Sequence, residues 1–137
     1  MWKSALATPG AAESLAACQS TGKLVAIVSN NYAEAVTRYL ARNGLAGLVA
    51  HVEGRDPSDP TLIKPSPHLI KNAAGALGVQ AAPCVFIGDQ TSDIAAGRSA
   101  DAHTIGYANK PGKADALAVA EADVVVATMM EIAAAMR

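Results

Sequence analysis

Asp89 and Asp93 are the side chains best placed to do chemistry, in the run Val85-Phe86-Ile87-Gly88-Asp89-Gln90-Thr91-Ser92-Asp93. The apolar stretch reads as a buried strand. Its Gly-Asp turn delivers one carboxylate to the strand's end and a second to the start of the next helix, the edge at which open α/β sheets bind ligands. Two carboxylates held there suit a hard divalent cation such as Mg²⁺, although such a pair in isolation usually only caps a helix. Ser29-Asn30 leaves another apolar run, Leu24–Val28. Its hydroxyl, its amide and the N–H groups of the helix that follows could bind a phosphoryl oxygen, or serve as an ordinary N-cap and turn. Lys64 stands in Ile63-Lys64-Pro65-Ser66-Pro67. The prolines restrict the backbone, and the ammonium could neutralise a phosphate and a nucleophile together. The three signals come in order, each at a strand's end or just ahead of a helix, and together they carry weight that none has singly.

The elements that must position these residues alternate along the chain. Thr8 as N-cap and Pro9 at the first helical position open a helix through Ser20, which Thr21-Gly22 closes. Leu24–Val28 is a continuous apolar strand of the kind a sheet covered on both faces requires. A helix through Arg42 ends at Asn43-Gly44, and Leu48–Val52 reads as a short strand. A polar, proline-rich loop covers 53–67, and helix resumes over Ser66–Leu77. Strands are predicted at Cys84–Ile87, Thr104–Tyr107 and Val124–Val126, and helices at Thr91–Ser99, Ala114–Ala120 and from the last strand to Met136. Strands alternating with helices imply a three-layer α/β/α, Rossmann-like core with a mostly parallel sheet.

The chain has 137 residues, so residues 1–137 are expected to form one domain. Alanine supplies 31 of them and aromatic residues only five, so the layers must pack closely on small side chains. A net charge of −1 without a basic stripe argues against nucleic acid or an anionic membrane as partner, and leaves a small phosphorylated molecule open. No apolar run approaches the roughly 20 residues of a membrane span. Cys18 and Cys84 form no Cys-x-x-Cys pair and follow no signal-like segment, which points to reduced thiols in a cytoplasm. His51, His68 and His103 lack metal-like spacing and read as surface or packing residues. Tyr32, after the Ser29-Asn30 turn, could line a pocket, and Asn109 or Lys110 could reach the site's rim.

In order, Val25-Ala26-Ile27-Val28-Ser29-Asn30, Lys64-Pro65-Ser66-Pro67 and Ile87-Gly88-Asp89-Gln90-Thr91-Ser92-Asp93-Ile94-Ala95-Ala96-Gly97 resemble the second, third and fourth motifs of the haloacid dehalogenase superfamily, phosphatase branch. Ala102–Tyr107 and Ala122–Val126 resemble the strands that follow, so the likeness runs from about Thr8 onward. The resemblance implies that Ser29 and Asn30 bind the transferred phosphoryl group, that Lys64 holds phosphate and nucleophile together, and that Asp89 is a Mg²⁺ ligand assisted by Asp93. Ser29 and Lys64 thus become candidate catalytic residues.

The family's first motif, Asp-x-Asp-x-Thr on a central strand with an aspartate nucleophile, has no counterpart, and neither does the cap that often follows it. Met1–Ala7 contain no carboxylate, and the first acidic residue is Glu13. By the resemblance, the missing strand belongs between those ending at Ser29 and Asp89. Mg²⁺ binding should then be weak or absent, and the chain inactive by itself. The expected function is Mg²⁺-dependent hydrolysis of a small phosphorylated metabolite by a protein of which this chain is the core. The alternative is a non-catalytic phosphate-binding or interaction module. Retention of Ser29, Lys64, Asp89 and Asp93 favours the former. Either the flanking strands pair directly, or Met1–Thr8 or another chain fills the slot, which gives a reason to expect strand exchange or a homodimer.

Overall fold

The computed structural model describes residues 10–136. Within them run helix α1 (Ala11–Ser20), strand β1 (Ala26–Val28), α2 (Ala33–Arg42), β2 (His51–Glu53), α3 (His68–Ala76), β3 (Val85–Gly88), α4 (Thr91–Ser99), β4 (His103–Tyr107), α5 (Lys113–Val119), β5 (Val124–Val126) and α6 (Met129–Met136). Thr8 and Pro9, expected to start the first helix, lie outside the described residues. Asn43 and Gly44 end α2 as the sequence predicts, with the Asn43 N–H donating to the Tyr39 carbonyl at 3.1 Å and Gly44 at a φ of +68°. The second strand falls later than Leu48–Val52. Ala46–Leu48 instead makes a 3-10 turn, and Leu48 and Val49 pack against the cluster of Leu15, Val36, Leu40 and Leu45. Apolar character at Leu48 and Val49 therefore reports packing rather than strand pairing, and the ladder begins only at His51.

Every strand pair is parallel, but the strands form two sheets, β1–β2 and β3–β4–β5. Alternation of side chains across β1 shows that both faces are covered. Val25 and Ile27 pack on the cluster built from α1 and α2, while Val28 packs on the opposite cluster of Ile70, Ala96 and Ala100, from α3 and α4. Helices α1 and α6 lie against each other, and α4 and α5 both cover β4. The result is the expected α/β/α layering with a Rossmann-like core.

Of the arrangements open to the strands flanking the missing position, direct pairing is not the one adopted, since β1 and β3 share no ladder among the described residues. Both instead line a cavity of about 930 Å³, to which β1 contributes Ala26, Ile27 and Val28, and β3 contributes Val85, Phe86 and Ile87. Side chains join the halves where hydrogen bonds do not. Ile70 of α3 sits with Ala96 of α4 and with Ala100 just beyond its end, and Val28 from one sheet and Phe86 from the other pack onto the same cluster.

Because Ile70 is buried where the two halves meet, Ile70→Ala is expected to cost about 2–5 kcal/mol, the usual range for emptying a buried aliphatic site. Urea unfolding followed by circular dichroism measures this. A loss below about 1 kcal/mol would mean that the cluster does not hold the halves together.

Candidate active site

The parallel strands bring their C-terminal ends to one edge, and Lys64 crosses it. Its ammonium donates to the Val28 carbonyl at the end of β1 at 3.3 Å and pairs with Asp93 Oδ1 in the first turn of α4 at 2.7 Å. The same ammonium lies 5.5 Å from the centroid of the Phe86 ring. Asn30 fixes the loop that carries it, because Asn30 Oδ1 accepts the Lys64 backbone N–H at 3.0 Å. This commits the amide's oxygen to Lys64 and leaves its NH₂ as the donor group. Ser29 is buried, and its Oγ accepts the Asn31 N–H at 3.0 Å, which realises the simple turn reading of that residue. Ser29, Asn30, Lys64, Asp89 and Asp93 nevertheless all line the same cavity, so the structure brings the five residues together.

Asp93 organises the β3–α4 turn. Its Oδ2 accepts the N–H groups of Asp89 and Gln90, each at 3.1 Å, and the Gln90 side chain completes a reciprocal capping box. Gly88 is required for this closeness, since a Cβ there would overlap the Asp93 side chain. A second lysine reaches Asp89. The Lys113 ammonium lies 3.0 Å from the Asp89 carbonyl oxygen and 3.2 Å from Oδ2, and Asn109 Nδ2 stands 3.5 Å from Oδ2. Burial pushes the Asp89 carboxyl up, but the hydrogen bond and charge of Lys113 are among the interactions that outweigh it and hold the group below its ordinary value. A depressed carboxyl stabilises the fold above the unfolded titration range, and that contribution fades as pH falls through the lowered value.

These groups do not make a Mg²⁺ site as they stand. Among the described residues, no three His, Cys, Asp or Glu side chains gather to hold a metal ion. Asp93 is engaged on both oxygens, Asp89 Oδ2 receives an ammonium, and Mg²⁺ requires near-octahedral oxygen ligation. One unspent acceptor lies near, for Asn109 Oδ1 is buried without a hydrogen-bond partner among the described residues.

Sequence reasoning placed Asn109 near the rim and missed Lys113 and Arg55. Lys113 opens α5, the end at which the helix dipole disfavours a cation, and that mismatch was the available signal. Arg55 Nε donates to the Asn30 carbonyl at 2.7 Å, and its guanidinium lies 5.6 Å from the centroid of the Tyr32 ring. Tyr32 thus stacks with Arg55 and does not line the cavity, and Lys110 is exposed.

Residues 2–101 match the sequence model of the haloacid dehalogenase-like hydrolases. The chain belongs to the haloacid dehalogenase-like hydrolase family. It is 28% identical over 120 residues to a phosphoglycolate phosphatase from Pectobacterium atrosepticum, a match covering 88% of this chain and 50% of that protein. A haloacid dehalogenase family hydrolase from Deinococcus radiodurans, solved with bound phosphate and sodium, superposes with a TM-score of 0.80 at 34% identity, over 93% of this chain and 58% of that one. A family phosphatase from Thermococcus onnurineus shares the fold, with a TM-score of 0.80 at 22% identity over 93% of this chain and 57% of its own. The chain therefore spans about half the length of the curated relative it matches. No helix of the described residues is long and apolar enough to cross a membrane.

Lys64 and Asp93 are both nearly buried, so Lys64→Met would strand a carboxylate and is expected to cost about 3–5 kcal/mol. Pairing it with Asp93→Asn should cost less than the sum of the single changes. Urea unfolding of the four proteins gives the coupling directly, and strictly additive losses would show that the pair does not act as a unit.

Proposed function

We propose that this site serves Mg²⁺-dependent hydrolysis of a phosphomonoester on a small phosphorylated metabolite, the attacking carboxylate coming from a polypeptide segment other than these 137 residues. The observation that carries this reading is the position of Lys64, bonded at once to the end of the Ser29-bearing strand and to Asp93. An ammonium fixed at that junction draws a phosphate oxygen and an incoming carboxylate to one point, lowering the repulsion between two anions. The Asn30 NH₂ and the Ser29 hydroxyl supply donors to the phosphoryl oxygens. Asp89 would hold Mg²⁺, which when bound neutralises charge on the phosphoryl group. Ser29 is assigned no nucleophilic role, because its Oγ accepts the Asn31 N–H and Lys64 at the same edge is ion-paired with Asp93 rather than free to act as a base. The phosphoglycolate phosphatase and the phosphate-bound hydrolase among the relatives support the same class of substrate.

The nucleophile-bearing strand would enter the cavity between β1 and β3, pairing with both. A second copy of this chain could instead lend a strand there, which would make a homodimer. A second reading, a non-catalytic phosphate-binding or interaction module, is favoured by one feature: Asp89 and Asp93 are each engaged by a lysine. We place the protein in the cytoplasm on its composition and its two free cysteines.

Hydrolysis of p-nitrophenyl phosphate with Mg²⁺ separates these readings. The 137-residue chain should be inactive. A form with an Asp-x-Asp-x-Thr strand joined ahead of Met1 should turn over, and Asp89→Asn in that form should abolish the rate. Inactivity of every form, with phosphate still bound, would establish the module. Asp89-dependent turnover by the short chain would overturn the account of the missing nucleophile.

A further inference from the structure

The metal assignment and the observed geometry disagree at Asp89, and the disagreement has a specific author in Lys113. Its ammonium touches Asp89 twice, at the carbonyl oxygen and at Oδ2, so it meets both a main-chain and a side-chain oxygen of the residue that the family pattern assigns to the cation. The contact is shielded, with the Lys113 side chain 29% exposed and that of Asp89 10%. It also runs against local preference, because a lysine in the first turn of a helix faces the positive end of the dipole. Among the described residues the hydrogen bonds of its ammonium go to Asp89 and not to Asp115 in the same turn of α5.

We propose that Lys113 is a tethered counter-ion that occupies the cation position at Asp89, so that a divalent ion binds only by displacing the ammonium. Lys113 is a positioning residue in this scheme. It holds the Asp89 carboxylate charged and oriented while no metal is bound, and it sets a threshold that the metal must exceed. An ammonium offers three N–H donors and no further ligands, so it serves Asp89 but leaves the buried Asn109 Oδ1 without a partner among the described residues. A divalent ion, which gathers several oxygens, would use both once the Asn109 amide, whose Nδ2 faces Asp89 Oδ2, turns over. The proposal rests on the reading of Asp89 as the cation ligand, and its test does not depend on turnover.

The experiment is a Mn²⁺ titration of the 137-residue chain followed by electron paramagnetic resonance of the free ion, with Lys113→Met, Lys113→Arg and Asp89→Asn beside the unaltered sequence. Removing an opposite charge within a few ångströms of a carboxylate changes its interactions by about tenfold or more, so Lys113→Met should tighten Mn²⁺ binding by about that factor. Lys113→Arg, which keeps the charge, should bind as weakly as the unaltered chain. Equal or weaker affinity in Lys113→Met would overturn the proposal. Undiminished binding by Asp89→Asn would place the ion elsewhere and refute the underlying reading of Asp89 instead. If Lys113→Met does not fold, the unaltered chain still decides the matter. Acetylation of Lys113, read by mass spectrometry, should rise severalfold when Mn²⁺ is added at saturating concentration, and a flat response would sink the idea.

Discussion

The ion pair between Lys64 and Asp93 is the interaction on which the arrangement of the edge depends, because it ties a loop between the sheets to the first turn of α4 while Lys64 also holds the end of β1. A buried pair is a weak source of net stability, since desolvation offsets much of the attraction. Its value here is positional. Asp93 cannot move without releasing the N–H groups of Asp89 and Gln90, and Lys64 cannot move without exposing the Val28 carbonyl. A single ammonium thus fixes the relative placement of three segments that no backbone ladder joins among the described residues.

Electrostatics at the edge follow an alternating pattern. Lys64 answers Asp93 and Lys113 answers Asp89, so two carboxylates close together in sequence share a small volume without mutual repulsion going unbalanced. On the proposed reading, phosphate, a carboxylate nucleophile and a divalent cation would each disturb that balance.

Much of this was legible in the sequence because the decisive residues sit at strand ends, where local pattern and topology agree. The apolar run before Ser29 and the one before Gly88-Asp89 identified strands, which fall in separate ladders but open onto one cavity that gathers Ser29, Asn30 and Asp89. Lys64 was marked by its prolines. The start of β2 was not legible, since Leu48 and Val49 are apolar for the sake of the α1–α2 cluster and apolar character does not distinguish packing from pairing. Lys113 and Arg55 were hidden for a different reason. Each is an ordinary basic residue in sequence, and only the parallel pairing of β3 with β4, and of β1 with β2, returns the loops that carry them to the site. The partners of Asp89 and Asn30 are long-range consequences of topology, and no local motif encodes them.

The separation of the strands into two ladders also bears on how the molecule opens. Cooperativity within a parallel sheet is carried by shared hydrogen bonds, and between β1–β2 and β3–β5 the described residues share none. What couples the halves is the packing around Ile70, the Lys64 bridge and the contact of α1 with α6. Two ladders joined among the described residues only by side-chain contacts are expected to show different amide-exchange protection, with β4, paired on both sides, exchanging more slowly than β1–β2.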